Sequence, residues 1–126
     1  MLDLSVYTKT FQALDPVPVW LWIIPEEEGY PCVVYAPVND LPGHDHDGIT
    51  TYRRAKYQID CFSEDPTEVR KLGAKVVSTW AFFKGEVEGV QIGRAKVEAN
   101  EPTEELARDG RVFRQRLSLL VEYEAS

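Results

Sequence analysis

Tyr52-Arg53-Arg54-Ala55-Lys56-Tyr57-Gln58-Ile59-Asp60-Cys61-Phe62 alternates so regularly that it decides the fold. On an extended chain Ala55, Tyr57, Ile59 and Cys61 fall on one side, and Arg54, Lys56, Gln58 and Asp60 on the other. A period of two, with strand-forming residues at the apolar positions, reads as a β-strand with one face on a core and one toward water. The last long segment, Arg111 to Tyr123, repeats the pattern: Phe113, Leu117, Leu119, Val121 and Tyr123 face inward, and Arg114, Arg116, Ser118 and Glu122 outward. Gln115 interrupts the inward row, and the pattern supplies no reason for it.

Between these strands Asp65-Pro66-Thr67-Glu68 is a helix start. Asp65 can cap, Pro66 suits the first helical position and Glu68 completes a capping box. Val69, Leu72, Val76, Trp80 and Phe83 then follow three- and four-residue steps along one face, with Arg70, Lys71 and Lys75 pointing away. Gly73, mid-helix, costs about 1 kcal/mol against alanine and implies a close approach to the sheet. Asp3 to Leu14 puts Leu4, Tyr7, Phe11 and Leu14 on one helical face, although Val6, Thr8 and Thr10 weaken the helix. Val19 to Ile24 reads as a strand apolar on both faces, either central or covered by a partner. Val33 to Val38 is the next strand, with Pro37 marking an edge or an end. Asn39 to Thr51 reads as a long polar loop, Val90 to Ala99 as a strand and Glu101 to Gly110 as a charged loop. The expected fold class is α+β: one mostly antiparallel β-sheet with a long helix, about 65–84, packed on one face.

The chain of 126 residues, 44% hydrophobic and 28% charged, is expected to form one domain, 1–126. Its longest apolar run, Val17 to Ile24, is too short to span a bilayer, and the first residues lack the pattern of a secretory signal. A cytoplasmic site of synthesis is expected, without membrane association. Cys32 and Cys61 are expected to be buried thiols on the redox logic of an intracellular protein, with a disulfide geometrically possible if their strands pair antiparallel; with no second cysteine beside either, their spacing does not suggest zinc. The net charge of −7 resides in residues 1–50, with eight acidic side chains against one lysine, while 51–126 carry thirteen of each sign. An acidic first part argues against duplex DNA binding, which rests on phosphate neutralisation by Lys and Arg.

His44-Asp45-His46-Asp47 is the one cluster that could ligate a metal or carry a reaction. Alternate residues in a polar loop do not preorganise a site, so a solvated, pH-sensitive segment is the simpler reading. Neither a glycine-rich phosphate loop nor a nucleophile elbow nor a His-Glu-x-x-His motif occurs in the sequence. The expectation is no enzyme, no metal and no cofactor. Trp20 and Trp22 are a heavy aromatic load for one strand: ordinary core, anchors of an oligomer interface, or a ligand platform. Arg54 with Lys56, Arg94 with Lys96 and Arg114 with Arg116 are alternate-residue pairs on three strands. If the strands are neighbours, the pairs form a basic stripe on the face away from the helix, suited to an acidic partner surface.

Three pieces carry a family resemblance: Tyr30-Pro31-Cys32-Val33-Val34-Tyr35, then Arg53 to Phe62, then Arg111 to Tyr123. With the helix between them, they resemble, in order over roughly residues 30–123, the tail-completion and tail-terminator proteins of long-tailed bacteriophages. Relatives more usually have Val at the two cysteine positions and a shorter, less tryptophan-rich first strand. The resemblance implies a short N-terminal helix beside the long one, and a structural virion protein of the tail or neck. It implies a homo-oligomer, usually a ring of six, that caps the tail tube, contacts the tail-tube protein and later the head-completion or connector proteins, and lets DNA pass through its lumen. The 39–51 segment is the candidate for touching tube or connector. Another neck or head–tail connector component, a small α+β ligand-binding module and a metal-dependent enzyme using His44 and His46 are the competing readings.

Overall fold

The structure is a computed structural model and describes residues 2–15, 17–21, 30–45, 48–100, 104–108 and 110–124. Its helices are α1 (Leu2–Leu14) and α2 (Pro66–Trp80). Its strands are β1 (Val19–Leu21), β2 (Cys32–Asp45), β3 (Gly48–Ser63), β4 (Gly85–Val87), β5 (Val90–Asn100), β6 (Glu104–Arg108) and β7 (Gly110–Glu124). They form one mixed sheet in the order β1-β2-β3-β7-β5-β4, with β6 paired to the start of β7. Among the described strands only β1 and β2 run parallel. The fold class is the expected α+β.

The alternation of β3 and β7 places their inner rows in register. Ala55 faces Val121, Tyr57 faces Leu119, Ile59 faces Leu117 and Cys61 faces Gln115. With Val33 and Tyr35 of β2 and Ile92 and Ala95 of β5, these residues make a buried floor. Helix α2 lies on it through Val69, Leu72, Gly73, Val76 and Trp80. Its start follows the sequence closely. Thr67 N–H donates to Asp65 Oδ1 at 2.9 Å, and Pro66 opens the helix. Glu68 does not reach back to the cap directly: Ser63 Oγ donates to Glu68 Oε1 at 2.6 Å and accepts from Asp65 N–H at 3.1 Å. A serine thus relays the capping box.

Several expectations are corrected. α2 ends at Trp80, not near 84, because Phe82 turns to φ 61 and its N–H bonds Ala95 O of β5. α1 buries Leu2, Val6, Thr10 and Leu14, while Phe11 is exposed and Tyr7 half-buried. Of the expected face, Leu14 is buried and Tyr7 packs on the core, the side chain of Leu4 lies outside the described residues, and Phe11 gives way to Thr10, whose Oγ1 accepts the indole N–H of fully buried Trp80 at 3.1 Å. Among the described strands β1 lies at the sheet edge, which removes the central alternative and leaves cover by a partner. The 39–51 segment is not a loop but the extended β2–β3 hairpin, paired out to Asp45 and Gly48, with irregularities between Pro37 and Asn39 and between Pro42 and His44. Glu104–Arg108, inside the expected charged loop, is β6, hairpinned onto β7. The Asp109-Gly110 dipeptide was the available signal.

Candidate functional site: the helix-free face and a cleft at the sheet edge

Three surfaces carry chemistry. The first is the face of the sheet away from the helices. Because β3, β7 and β5 are neighbours, Arg54, Lys56, Arg94, Lys96, Arg114 and Arg116 are brought onto it together. They do not make a uniform basic stripe, since acids from the same strands interleave with them. Arg54 Nε lies 3.4 Å from Glu122, which also stands opposite Arg94 in the ladder. Lys56 Nζ lies 3.6 Å from Glu98. Arg116 grips Asp60 with two donors, Nε at 2.9 Å and Nη2 at 3.2 Å, and Gln58 Nε2 donates to the same carboxylate at 3.2 Å. Asp60 is 8% exposed, and such a fork to a mostly buried carboxylate is directional and strong. The other pairs are more exposed and contribute little each. The surface is therefore a charge mosaic, better suited to fixing the register of a partner than to gripping a polyanion.

The second surface is the edge made by β1. Trp20 pairs with Val34 and points to the side opposite Val19, toward the helix-free face. Its Nε1 is buried without a hydrogen-bond partner among the described residues. Leu21 and Tyr30 are exposed nearby in sequence, and Tyr30 packs against Phe62 at 6.3 Å between ring centroids. Trp22, His46 and Asp47 lie outside the described residues. His44 and Asp45 are described only in their backbone pairing near the end of the β2–β3 hairpin. The His-Asp cluster therefore cannot be assembled into a site from geometry, and among the described residues no cluster of metal-ligating side chains occurs.

The third surface had no counterpart in the sequence reading. A cleft of 450 Å³ opens beside the start of α1, with Leu2, Ala55, Tyr57 and Tyr123 as its floor and residues 37–40 of β2 as its outer wall. On its lip Arg53 Nε donates to Asp40 Oδ1 at 3.0 Å, and Tyr123 O–H donates to Asp40 Oδ2 in a very short contact. Burial, and then the bond to Asp40, push the Tyr123 phenol upward. The hydrogen bond and charge of Asp40 push the Arg53 guanidinium upward as well, so both groups stay protonated. The sequence could not join Asp40 to Arg53, because the shift after Pro37 changes which residues face each other.

The remaining titratable groups read as structural. Burial pushes the thiols of Cys32 and Cys61 up to about 12, which leaves both as inert thiols at neutral pH. The two are on adjacent strands but face opposite sides of the sheet, Cys32 opposite Phe62 and Cys61 opposite Val33. Lys9 lies over the Phe83 ring at 3.7 Å, and its partial burial lowers its pKa.

No protein-family model and no curated protein matches the sequence. Among solved structures, a chain from the virion of a native gene transfer agent (GTA) particle has the same fold, with a TM-score of 0.75 and 11% identity. The match covers 98% of this chain and 95% of that chain. No helix among the described residues is long and apolar enough to cross a membrane.

Proposed function

We propose that this protein is a structural component of a virion and, more specifically, a tail-completion protein that caps the tail tube as an oligomeric ring and offers a joining surface to the head. The observation that carries the reading is the near full-length fold likeness to a virion chain, over 98% of this protein. It supports the virion class independently of the residues that resemble tail terminators, which lie in β2, β3 and β7, the centre of the sheet.

A ring needs heterologous contacts, in which one side of a subunit complements another side of its neighbour. The mosaic around Arg54, Lys56, Arg94, Lys96, Arg114 and Arg116, the tryptophan-bearing β1 edge and the acid-rich first fifty residues are the proposed contact elements. The long β2–β3 hairpin, paired out to Asp45 and Gly48, is the element proposed to reach the tube or the connector. The test is negative-stain microscopy of the protein alone and mixed with unterminated tail tubes. Rings at one tube end, with tube length fixed, are expected. Tubes that stay uncapped and grow without limit sink the terminator role.

A second reading, a small-ligand binding module, is favoured by the cleft beside Tyr57 and Tyr123, whose 450 Å³ falls within the usual range of ligand sites. It expects a monomer that carries a copurifying small molecule in native mass spectrometry, and rings without such a molecule exclude it.

A further inference from the structure

We propose that Phe82 of one subunit inserts into the cleft beside Leu2, Tyr57 and Tyr123 of a second copy, forming the repeating lateral contact of the assembly. The inference deepens the ring reading and rests on it.

Phe82 is the most exposed large apolar side chain among the described residues, at 92%, while its neighbours Trp80 and Phe83 are turned inward. Its exposure is imposed by a fixed turn. Ala81 N–H bonds Val77 O at 2.7 Å, Phe82 N–H bonds Ala95 O at 3.0 Å and Phe83 N–H bonds Trp80 O at 3.0 Å. Phe82 also takes a left-handed backbone at φ 61, a conformation that a side chain disfavours. An isolated subunit gains nothing from a fully hydrated phenyl ring on a strained residue, whereas a partner that buries the ring does.

The cleft provides a matching cavity. Its wall and floor include Val38, Pro37, Leu2 and two tyrosine rings, and Val38 is 54% exposed. The charged part of its lip is already engaged, Asp40 with Arg53 and Tyr123, so an apolar occupant does not strand that carboxylate. The knob and the hole stand on opposite flanks of the same sheet. Phe82 bonds the outer edge of β5, and the cleft runs from β2 across β3 to Tyr123 of β7, on the inner side of β5. Phe82 stands one strand spacing outside β5, so two spacings, roughly 10 Å, separate its backbone from Tyr123 and about 19 Å from the β2 wall, and its side chain points away from its own cleft into solvent. A knob on one flank and a hole on the other make a head-to-tail contact, which closes into a ring when the rotation per step allows. Charge agrees with this pairing: Lys84 is exposed beside Phe82, and the β2 wall of the cleft belongs to residues 1–50, which hold the −7 excess. One phenyl ring buries about 150–250 Å², well below a stable interface, so Phe82 is an anchor within a larger contact.

The test uses the full chain at high concentration. Phe82→Cys and Val38→Cys are made singly and together, then oxidised at pH 8. Native Cys32 and Cys61 stay silent because they are buried. Cross-linked multimers from the double variant, and monomers from each single variant, are expected. Phe82→Gly, which relieves the left-handed strain, is expected to melt no lower than wild type yet associate at least tenfold more weakly by sedimentation. Association that persists unchanged in Phe82→Gly, without cross-links in the double variant, overturns the contact while leaving the ring reading standing. A protein that stays monomeric throughout overturns the contact as well, and the tube-capping microscopy then decides the ring reading separately.

Discussion

Replacing Gly73 with alanine tests how α2 seats on the sheet. An alanine Cβ at this position falls 2.8 Å from Cγ of Gln115, with the Gln115 Cβ and Cδ at 3.7 Å. The nearest atom belongs to the stem of the glutamine, not its tip, and Gln115 is only 6% exposed, so the side chain has little freedom to move aside. Two effects oppose each other. Alanine is the better helix former by about 1 kcal/mol. Overpacking a close contact costs typically 1–3 kcal/mol, because the helix must lift or Gln115 must leave its rotamer. The balance is a destabilisation of about 1 kcal/mol, or roughly 3–5 °C in Tm for a chain of this size. Urea unfolding followed by circular dichroism measures it. The partner is identified by a double-mutant cycle: with Gln115→Ala the clash is removed, so Gly73→Ala should become stabilising in that background, with a coupling of about 1–2 kcal/mol. Gly73→Ala raising stability by about 1 kcal/mol in the wild-type background would refute the close-approach argument, and additivity in the cycle would show that Gln115 is not the obstacle.

Thr10→Val keeps the shape of Thr10 but leaves the buried Trp80 indole N–H without its acceptor at 3.1 Å, and a loss of about 1–3 kcal/mol in urea unfolding is expected, with Thr10→Ser recovering most of it. Asp60→Asn converts the acceptor of the Arg116 fork and the Gln58 amide into a side chain that must present a donor to donors; a loss of about 1–3 kcal/mol is expected, against a change within about 0.5 kcal/mol for Glu98→Gln in the exposed Lys56 pair. Cys32 and Cys61 should not react with a thiol reagent at pH 8 in the native state, and both should react after unfolding. Their folded values near 12 lie above the ordinary 9.0, so burial of the neutral thiols stabilises the fold fully below pH 9 and that contribution is lost as pH rises toward 12, which an alkaline denaturation series reads directly. Replacing both cysteines with valine should flatten that alkaline decline, and an unchanged decline removes the thiols as its cause.

The strands and the long helix were legible because their information is local. Period-two alternation from Arg54 to Cys61 and from Phe113 to Tyr123 specifies which face is buried, and Asp65-Pro66 starts α2 through contacts within a few residues. The shared outward parity of the three basic pairs was legible within each strand, but that β3, β7 and β5 are neighbours came from the fold. Other features depended on residues distant in sequence. Thr10 is buried because Trp80, seventy positions away, needs an acceptor. Gln115 interrupts an apolar row because Gly73 of the helix approaches it, and either residue alone reads as an anomaly. Phe82 followed a helical pattern that pointed onward to Phe83, and the carbonyl of Ala95 in β5 ends that pattern and turns the ring outward. The Asp40–Arg53–Tyr123 cluster depends on a register shift after Pro37 that moves Asp40 opposite Ala55. By itself the sequence determined the elements and their buried faces, because periodicity and capping act over a few residues. Which polar group meets which, where the helix stops and what the surface presents were decided only in the tertiary structure, because each depends on a partner brought close by the fold.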